Sequence, residues 1–134
     1  MPATVVDSYA LLALWFEEPG AELVKESLHQ AGEADRPVLI AAVNWAEALY
    51  QVERRQGRDG VAVARRFEQT MPLDVVAADR ELAEHAAHYK ATQKMSLADA
   101  FAAALAKQKK AVLLTGDPEF KPLEGEIKIR WLKG

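Results

Sequence analysis

The chain contains no cysteine among its 134 residues. We therefore expect no disulfide bond, no cysteine-based metal site and no thiol catalysis. It also has no uninterrupted apolar run of about 18 residues, which argues against a transmembrane helix. The first residues carry no basic segment, and Asp7 interrupts the first apolar run. We therefore expect no secretory signal and a cytoplasmic location.

The chain has little excess charge of either sign and few histidines. The formal net charge is −3, which argues against a strongly basic, non-specific nucleic-acid binder but leaves room for local basic patches. His29, His85 and His88 fall on predicted helices, and we interpret them as surface or partly buried residues. Neither a Ser-His-Asp order nor a glycine-rich phosphate loop is present.

Short apolar runs alternate with amphipathic segments along the whole chain. Strands are predicted at "ATVV", "PVLIAAV", "PLDVV", "AVLLT" and, at an edge, "EIKIRWL". Between them lie helical segments, among which "NWAEALYQVERRQG" ends at Gly57 and is followed by a turn at "GRDG" and a helix at "GVAVARRFEQT". This order predicts a three-layer α/β/α sandwich around a mostly parallel sheet of about five strands. With no repeat or linker, we expect one domain over residues 1–134.

Four acidic residues stand at or near predicted helix starts: Asp7, Glu47, Asp99 and Asp117. Each has a structural explanation as part of a helix cap. Ser96 and Asn44 each precede one of these acids by three residues, as in a capping box. The other two acids suit N-cap positions, one of them before Pro118.

Capping does not predict that these four acids gather at one place. In a parallel α/β sheet, helices start at the carboxyl edge of the strands, where such folds bind ligands. Two carboxylates about 5 Å apart repel by roughly 3 kcal/mol at an effective dielectric of about 20, and helix dipoles offset only part of that. The acids therefore require a cation. Oxygen ligands without histidine or cysteine favour Mg²⁺ or Mn²⁺, which serve phosphate chemistry.

The helix that carries Asp99 has room for such a site. The stretch "SLADAFAAALA" is alanine-rich, and Ala102, Ala103 and Ala106 share the helix face of Asp99. Small side chains there let the helix approach the sheet and leave space above the acid. Ordinary packing explains the same alanines, so both interpretations stay open.

Four stretches in order, "TVVDSYALLALW", "AAVNWAEALYQV", "SLADAFAAALA" and "VLLTGDPEF", resemble the successive motifs of PIN-domain proteins. Over nearly its whole length the chain is similar above all to VapC-type toxins of type II toxin–antitoxin modules. The resemblance implies a Mg²⁺- or Mn²⁺-dependent endoribonuclease, a homodimer and a cognate antitoxin partner. It implies a catalytic, metal-binding quartet and a polar residue beside it: Asp7, Glu47, Asp99 and Asp117, with Thr115. For Ser8 and Glu119 we favour capping or solvated roles.

Two further features bear on binding partners. Five arginines bracket one predicted helix–turn–helix, and they line an RNA path, face an antitoxin or form a solvated face: Arg54, Arg55, Arg58, Arg65 and Arg66. The first helix is rich in aromatic residues, with Tyr9, Trp15 and Phe16. Core packing explains them, and part of that surface also suits an antitoxin helix or a dimer partner.

Two other functions remain open from the sequence. A receiver-type phosphoacceptor domain also gathers acids at a sheet edge, but it needs two adjacent acids after the first strand, where this chain has "DSY". A non-enzymatic, PIN-like protein-binding module would act through protein contacts alone. RNA cleavage with and without Mg²⁺ separates an enzyme from a binding module.

Overall fold

The computed structural model describes residues 2–133. The elements in chain order are β1 (Thr4–Val6), α1 (Ser8–Trp15), α2 (Ala21–Glu33), β2 (Val38–Ala41), α3 (Ala42–Thr70), β3 (Leu73–Val76), α4 (Arg80–Thr92), α5 (Leu97–Lys109), β4 (Val112–Thr115), a 3₁₀ helix (Pro118–Leu123) and β5 (Ile129–Trp131). The five strands form one sheet in the order β3-β2-β1-β4-β5, with all neighbours parallel. The predicted α/β/α fold with a five-stranded parallel sheet is confirmed.

Each face of the sheet carries its own hydrophobic core. Successive strand residues point to opposite faces, so Val5 and Leu113 pack with α4 and α5, while Val6 and Leu114 pack with α1 and α2. Burial on both faces explains why the central strands read as continuous apolar runs rather than as alternating ones. No helix within residues 2–133 is long and apolar enough to cross a membrane.

The strand order reverses beside β1. From β1 the chain moves to β2 and β3 on one side, then returns across the sheet to β4 and β5 on the other. Parallel sheets open a crevice at the carboxyl ends of the strands where the order reverses in this way. Asp7 directly follows β1, and Asp117 lies two residues after β4. The topology therefore places both acids at this crevice.

The start of α3 differs from the prediction. We predicted a strand through Val43 and a capping box at Asn44, but β2 ends at Ala41 and the helix begins at Ala42, with no side-chain cap. The reason is a tertiary hydrogen bond: Asn44 is completely buried, and its Nδ2 donates to the carbonyl of Ala98 at 3.0 Å. Asn44 therefore joins α3 to α5 instead of capping α3.

A glycine divides α3 into two arms. Gly57 has φ +69° and ψ −167°, a conformation that favours glycine, and it interrupts the helix. The predicted end at Gly57 is confirmed, but the predicted turn at "GRDG" shrinks to that one residue because the helix resumes at Arg58. We call residues 42–56 the first arm and residues 58–70 the second arm.

Candidate active site

A cavity of about 540 Å³ lies at the carboxyl ends of the central strands. All four acids singled out in the sequence line it: Asp7, Glu47, Asp99 and Asp117. They come from the start of α1, the first arm of α3, the first turn of α5 and the loop after β4. The structure thus brings together side chains that are far apart in sequence. We call this space the acidic cavity.

Asp7 is the N-cap of α1 and is almost completely buried, at 1% exposure. Its Oδ1 accepts a hydrogen bond from the backbone N–H of Ala10 at 3.0 Å, as the capping interpretation predicts. Its Oδ2 accepts one from the hydroxyl of Thr115 at 2.5 Å. Burial raises the pKa of Asp7 to about 7, although these hydrogen bonds act in the opposite direction, and the nearby charge of Asp117 adds to the increase.

Thr115 connects two of the acids. It is fully buried at the end of β4, and its hydroxyl accepts the backbone N–H of Asp117 at 3.0 Å while it donates to Asp7. A hydroxyl has one proton to donate and lone pairs to accept, so this arrangement uses both capacities. Thr115 thereby fixes the position of the Asp7 carboxylate relative to the loop that carries Asp117.

Asp99 lies in the first turn of α5 and is buried at 7% exposure. Ser96 caps this helix and accepts the N–H of Asp99 at 3.1 Å, so half of the predicted capping box is present. The other half differs, because the N–H of Ser96 donates to Glu119 at 3.3 Å. Burial raises the pKa of Asp99 to about 9, and hydrogen bonding with Glu119 and the charge of Asp117 contribute to the increase.

The carboxylates of Asp117, Glu119 and Asp99 lie close together. Asp117 is the N-cap of the 3₁₀ helix, with Pro118 following as predicted, and its Oδ1 accepts the N–H of Glu119 at 2.9 Å. One oxygen from each of the three carboxylates lies within 4.8 Å of the others. The sequence alone favours a capping or solvated role for Glu119. Glu119 follows Asp117 by two residues, and this spacing does not predict that the two side chains lie together unless the 3₁₀ turn is known.

Glu47 lies on the first arm of α3 and reaches the acidic cavity from another wall. Its Oε1 accepts a hydrogen bond from the hydroxyl of Ser8, which is itself buried at 8% exposure. Ser8 therefore positions Glu47, a role that the capping interpretation did not include. Within residues 2–133, Glu47 and Asp7 line the cavity without joining the cluster of three carboxylates described above.

The donor set of the acidic cavity fits a hard divalent cation. Carboxylate and hydroxyl oxygens line it, and Mg²⁺ and Mn²⁺ prefer such ligands. The raised pKa values of Asp7 and Asp99 show that burial and mutual repulsion disfavour the ionised carboxylates. A cation bound among them would reverse that preference. The residues able to hold it are Asp99, Asp117 and Glu119, with Asp7 and Glu47 facing the same space.

A sequence profile of the PIN domain matches residues 4–126 of this chain. The chain belongs to the PIN-domain family. The match includes all four acids, Thr115 and Glu119. Because the chain is a PIN domain, the receiver-type phosphoacceptor alternative is excluded. No relative matches among curated proteins.

Solved structures similar to this PIN domain include toxin–antitoxin proteins. DNA-bound VapBC from Salmonella typhimurium aligns with a TM-score of 0.77 at 19% identity, covering 98% of this chain and 99% of that one. VapC20 from Mycobacterium tuberculosis, described as a sarcin-ricin loop cleaving toxin, aligns at 0.71 and 18% identity, covering 93% and 96%. VapBC2 from Rickettsia felis, bound to a promoter DNA fragment, aligns at 0.74 and 12% identity, covering 96% and 97%. At these identities the likeness shows a shared fold.

Proposed function

We propose that this PIN domain, residues 1–134, is a Mg²⁺- or Mn²⁺-dependent endoribonuclease and the toxin of a toxin–antitoxin module. The observation that carries the proposal is the convergence of buried, pKa-shifted carboxylates in one cavity at the point where the strand order reverses. The similar fold of VapC20, described as a toxin that cleaves the sarcin-ricin loop, supports RNA as the substrate.

In this proposal Asp7, Glu47, Asp99 and Asp117 bind the cation and are the catalytic acids, and Thr115 assists them. Glu119 joins this set because its carboxylate lies with two of them. A bound cation would supply a more acidic water for attack on phosphorus and would neutralise charge on the phosphate. The chain's own contribution is positional, since helix N–H groups and hydroxyls hold the carboxylates in place before substrate arrives.

The acids separate this proposal from a non-enzymatic binding module. Burying carboxylates beside one another is costly unless they bind something. A module that acted through protein contacts alone would have no ligand to offset the cost of burying Asp7 and Asp99 beside other acids. A site that binds a cation and a phosphate makes use of both.

The antitoxin partner has a candidate surface on this chain. A groove of about 250 Å³ runs between α1 and both arms of α3, lined mainly by Trp15, Val52, Val63 and Phe67. Val63 is 57% exposed, while Trp15 packs edge-on against Phe67 with ring centroids 5.6 Å apart. An amphipathic antitoxin helix would cover such a groove with its apolar face. The VapBC complexes with this fold support such a partner. We also propose a homodimer and a cytoplasmic location.

The deciding experiment is cleavage of RNA by the purified chain. Fluorophore-quencher single-stranded RNA of random sequence is incubated with Mn²⁺, with Mg²⁺ or with EDTA, and Asp99→Asn is purified in parallel to detect contaminating nuclease. We expect cleavage by the wild type with either metal, and none in EDTA or by the variant. Absence of cleavage, or equal cleavage by Asp99→Asn, would favour the binding module. Light scattering at tens of micromolar tests the dimer, which a strictly monomeric protein would contradict.

A further inference from the structure

Two adjacent arginines on the first arm of α3 make the same kind of contact in different surroundings. The guanidinium of Arg54 lies 4.8 Å from the ring centroid of Tyr50, and that of Arg55 lies 4.3 Å from the ring centroid of Phe16. Arg54 and Tyr50 line a separate surface hollow. Arg55 lines the acidic cavity. The pair therefore offers an internal comparison between one arginine at the candidate site and one away from it.

Arg55 belongs to a stripe that runs along one wall of the acidic cavity. Glu47, Gln51 and Arg55 are spaced four residues apart, which places them on one face of the helix, and all three line the cavity. Eight residues of helix correspond to about 12 Å along its axis. The backbone of Arg55 therefore lies about two helical turns from that of Glu47 along the same cavity wall.

The positive charge of Arg55 is not neutralised by the acids around it. Six acidic side chains line the same cavity, with Lys133 as the other cation. Even so, across residues 2–133 no carboxylate lies within salt-bridge distance of Arg55. Stacking on Phe16 restricts the plane of the guanidinium and leaves its N–H donors available. Compensation of the helix dipole does not account for this arrangement, because Arg54 would serve that purpose equally well.

We infer that Arg55 binds a backbone phosphate of single-stranded RNA that enters the acidic cavity. The phosphate it contacts is a different one from that which lies over the carboxylates. This inference rests on the proposed nuclease function. A cavity with this excess of acids repels a polyanion, so the strand needs positive charge at the cavity wall in addition to any cation. Arg55 supplies it from a rigid helix, with the Phe16 ring behind it.

The test compares Arg55→Gln with the matched Arg54→Gln. Both changes remove one charge and one cation–π contact from neighbouring positions. Binding of a fluorescein-labelled 12-nucleotide single-stranded RNA is followed by anisotropy in an Asp99→Asn background, which keeps the RNA intact. We expect Arg55→Gln to weaken binding about tenfold, as loss of a charged hydrogen bond would, and Arg54→Gln to leave it within twofold.

Salt dependence identifies the lost contact as one to phosphate. The slope of log affinity against log salt should become shallower by about 0.7 in Arg55→Gln, the change expected for one phosphate contact on a single strand. Arg55→Lys should restore the slope, because it keeps the charge. In the background with an intact Asp99, Arg55→Gln should raise KM for cleavage of the random RNA far more than it lowers kcat.

Three results would overturn the inference. Equal weakening of RNA binding by Arg54→Gln and Arg55→Gln would mean that Arg55 contributes only general surface charge. The nuclease proposal would then still be supported by cleavage of RNA by the wild type. An unchanged RNA affinity and salt slope in Arg55→Gln would remove Arg55 from the RNA path. A chain that neither binds nor cleaves RNA would overturn this inference together with the proposed function.

Discussion

Two helix N-termini in this molecule share one local geometry and differ in everything around it. Asp7 caps α1 by accepting the N–H three residues later at 3.0 Å, and Asp79 caps α4 in the same way at 2.9 Å. Asp79 is exposed, whereas Asp7 is buried, is bound by Thr115 and lies beside other acids. Capping and participation in a site are therefore not competing explanations for an acid. Burial and neighbouring groups distinguish the two caps.

The largest expected difference between the two caps is in catalysis. Asp7→Asn, Asp99→Asn and Asp117→Asn should each lower RNA cleavage about a thousandfold or more, because charge stabilisation by a bound cation is worth several kcal/mol. Glu47→Gln should also be severe. Asp79→Asn should leave cleavage within twofold of wild type. Initial rates in Mn²⁺ measure this, and near-wild-type rates in any two of the first three variants would remove those acids from the site.

The next effect is on stability against pH in chelator. The pKa values of Asp7 and Asp99 are raised in the folded state, to about 7 and about 9, from 3.8. Between about pH 4 and pH 9 the folded protein therefore holds protons that the unfolded chain has released. Its free energy of unfolding should therefore fall as pH rises through that window.

Urea unfolding at several pH values in EDTA measures this slope. Asp99→Asn should reduce the slope and should melt at or above the wild type at pH 8, because asparagine is always neutral and the folded state no longer has to bind a proton that the unfolded chain has released. If Asp99→Asn melts lower than wild type in EDTA and the slope is unchanged, Asp99 acts as a capping-turn acid alone.

Metal should stabilise the wild type by a smaller amount. At a hundredfold excess over the dissociation constant, Mn²⁺ should add about 2.7 kcal/mol to the free energy of unfolding. Asp99→Asn should gain much less, and Asp79→Asn should gain as much as wild type. Thermal melts of all three proteins in EDTA and in millimolar Mn²⁺ provide the measurement. Indifference of the wild type to both Mn²⁺ and Mg²⁺ would argue against the cation site.

The smallest expected effect is that of the exposed cap itself. Asp79→Ala removes the hydrogen bond to Leu82 and should lower the free energy of unfolding by about 1 kcal/mol. Cleavage and the gain in stability from Mn²⁺ should not change. A loss of cleavage in Asp79→Ala, at temperatures where the protein is folded, would end the contrast between the two caps.

Much of this arrangement was predictable because it depends on local rules. Asp7 and Asp117 follow strands whose apolar character is plain in the sequence, and parallel topology brings such positions to one edge. The start of α3 was not predictable from the sequence. The β-branched Val43 extends the strand pattern, and the side-chain amide of Asn44 donates to the distant carbonyl of Ala98 instead of capping the helix. Glu119 was missed because its approach to Asp99 depends on the 3₁₀ turn after Asp117. Contacts between distant segments leave no local pattern in the sequence.

The topology also sets the time at which the acidic cavity forms during synthesis. Asp117 is translated long after Asp7, once β2, β3, β4 and five helices have been made. At about 5–20 residues per second, the interval between them is roughly 5–20 s. For that time a growing chain holds an incomplete set of acids and cannot assemble the cavity. The proposed nuclease site is therefore absent from the nascent chain until β4 and the loop that follows it have been made.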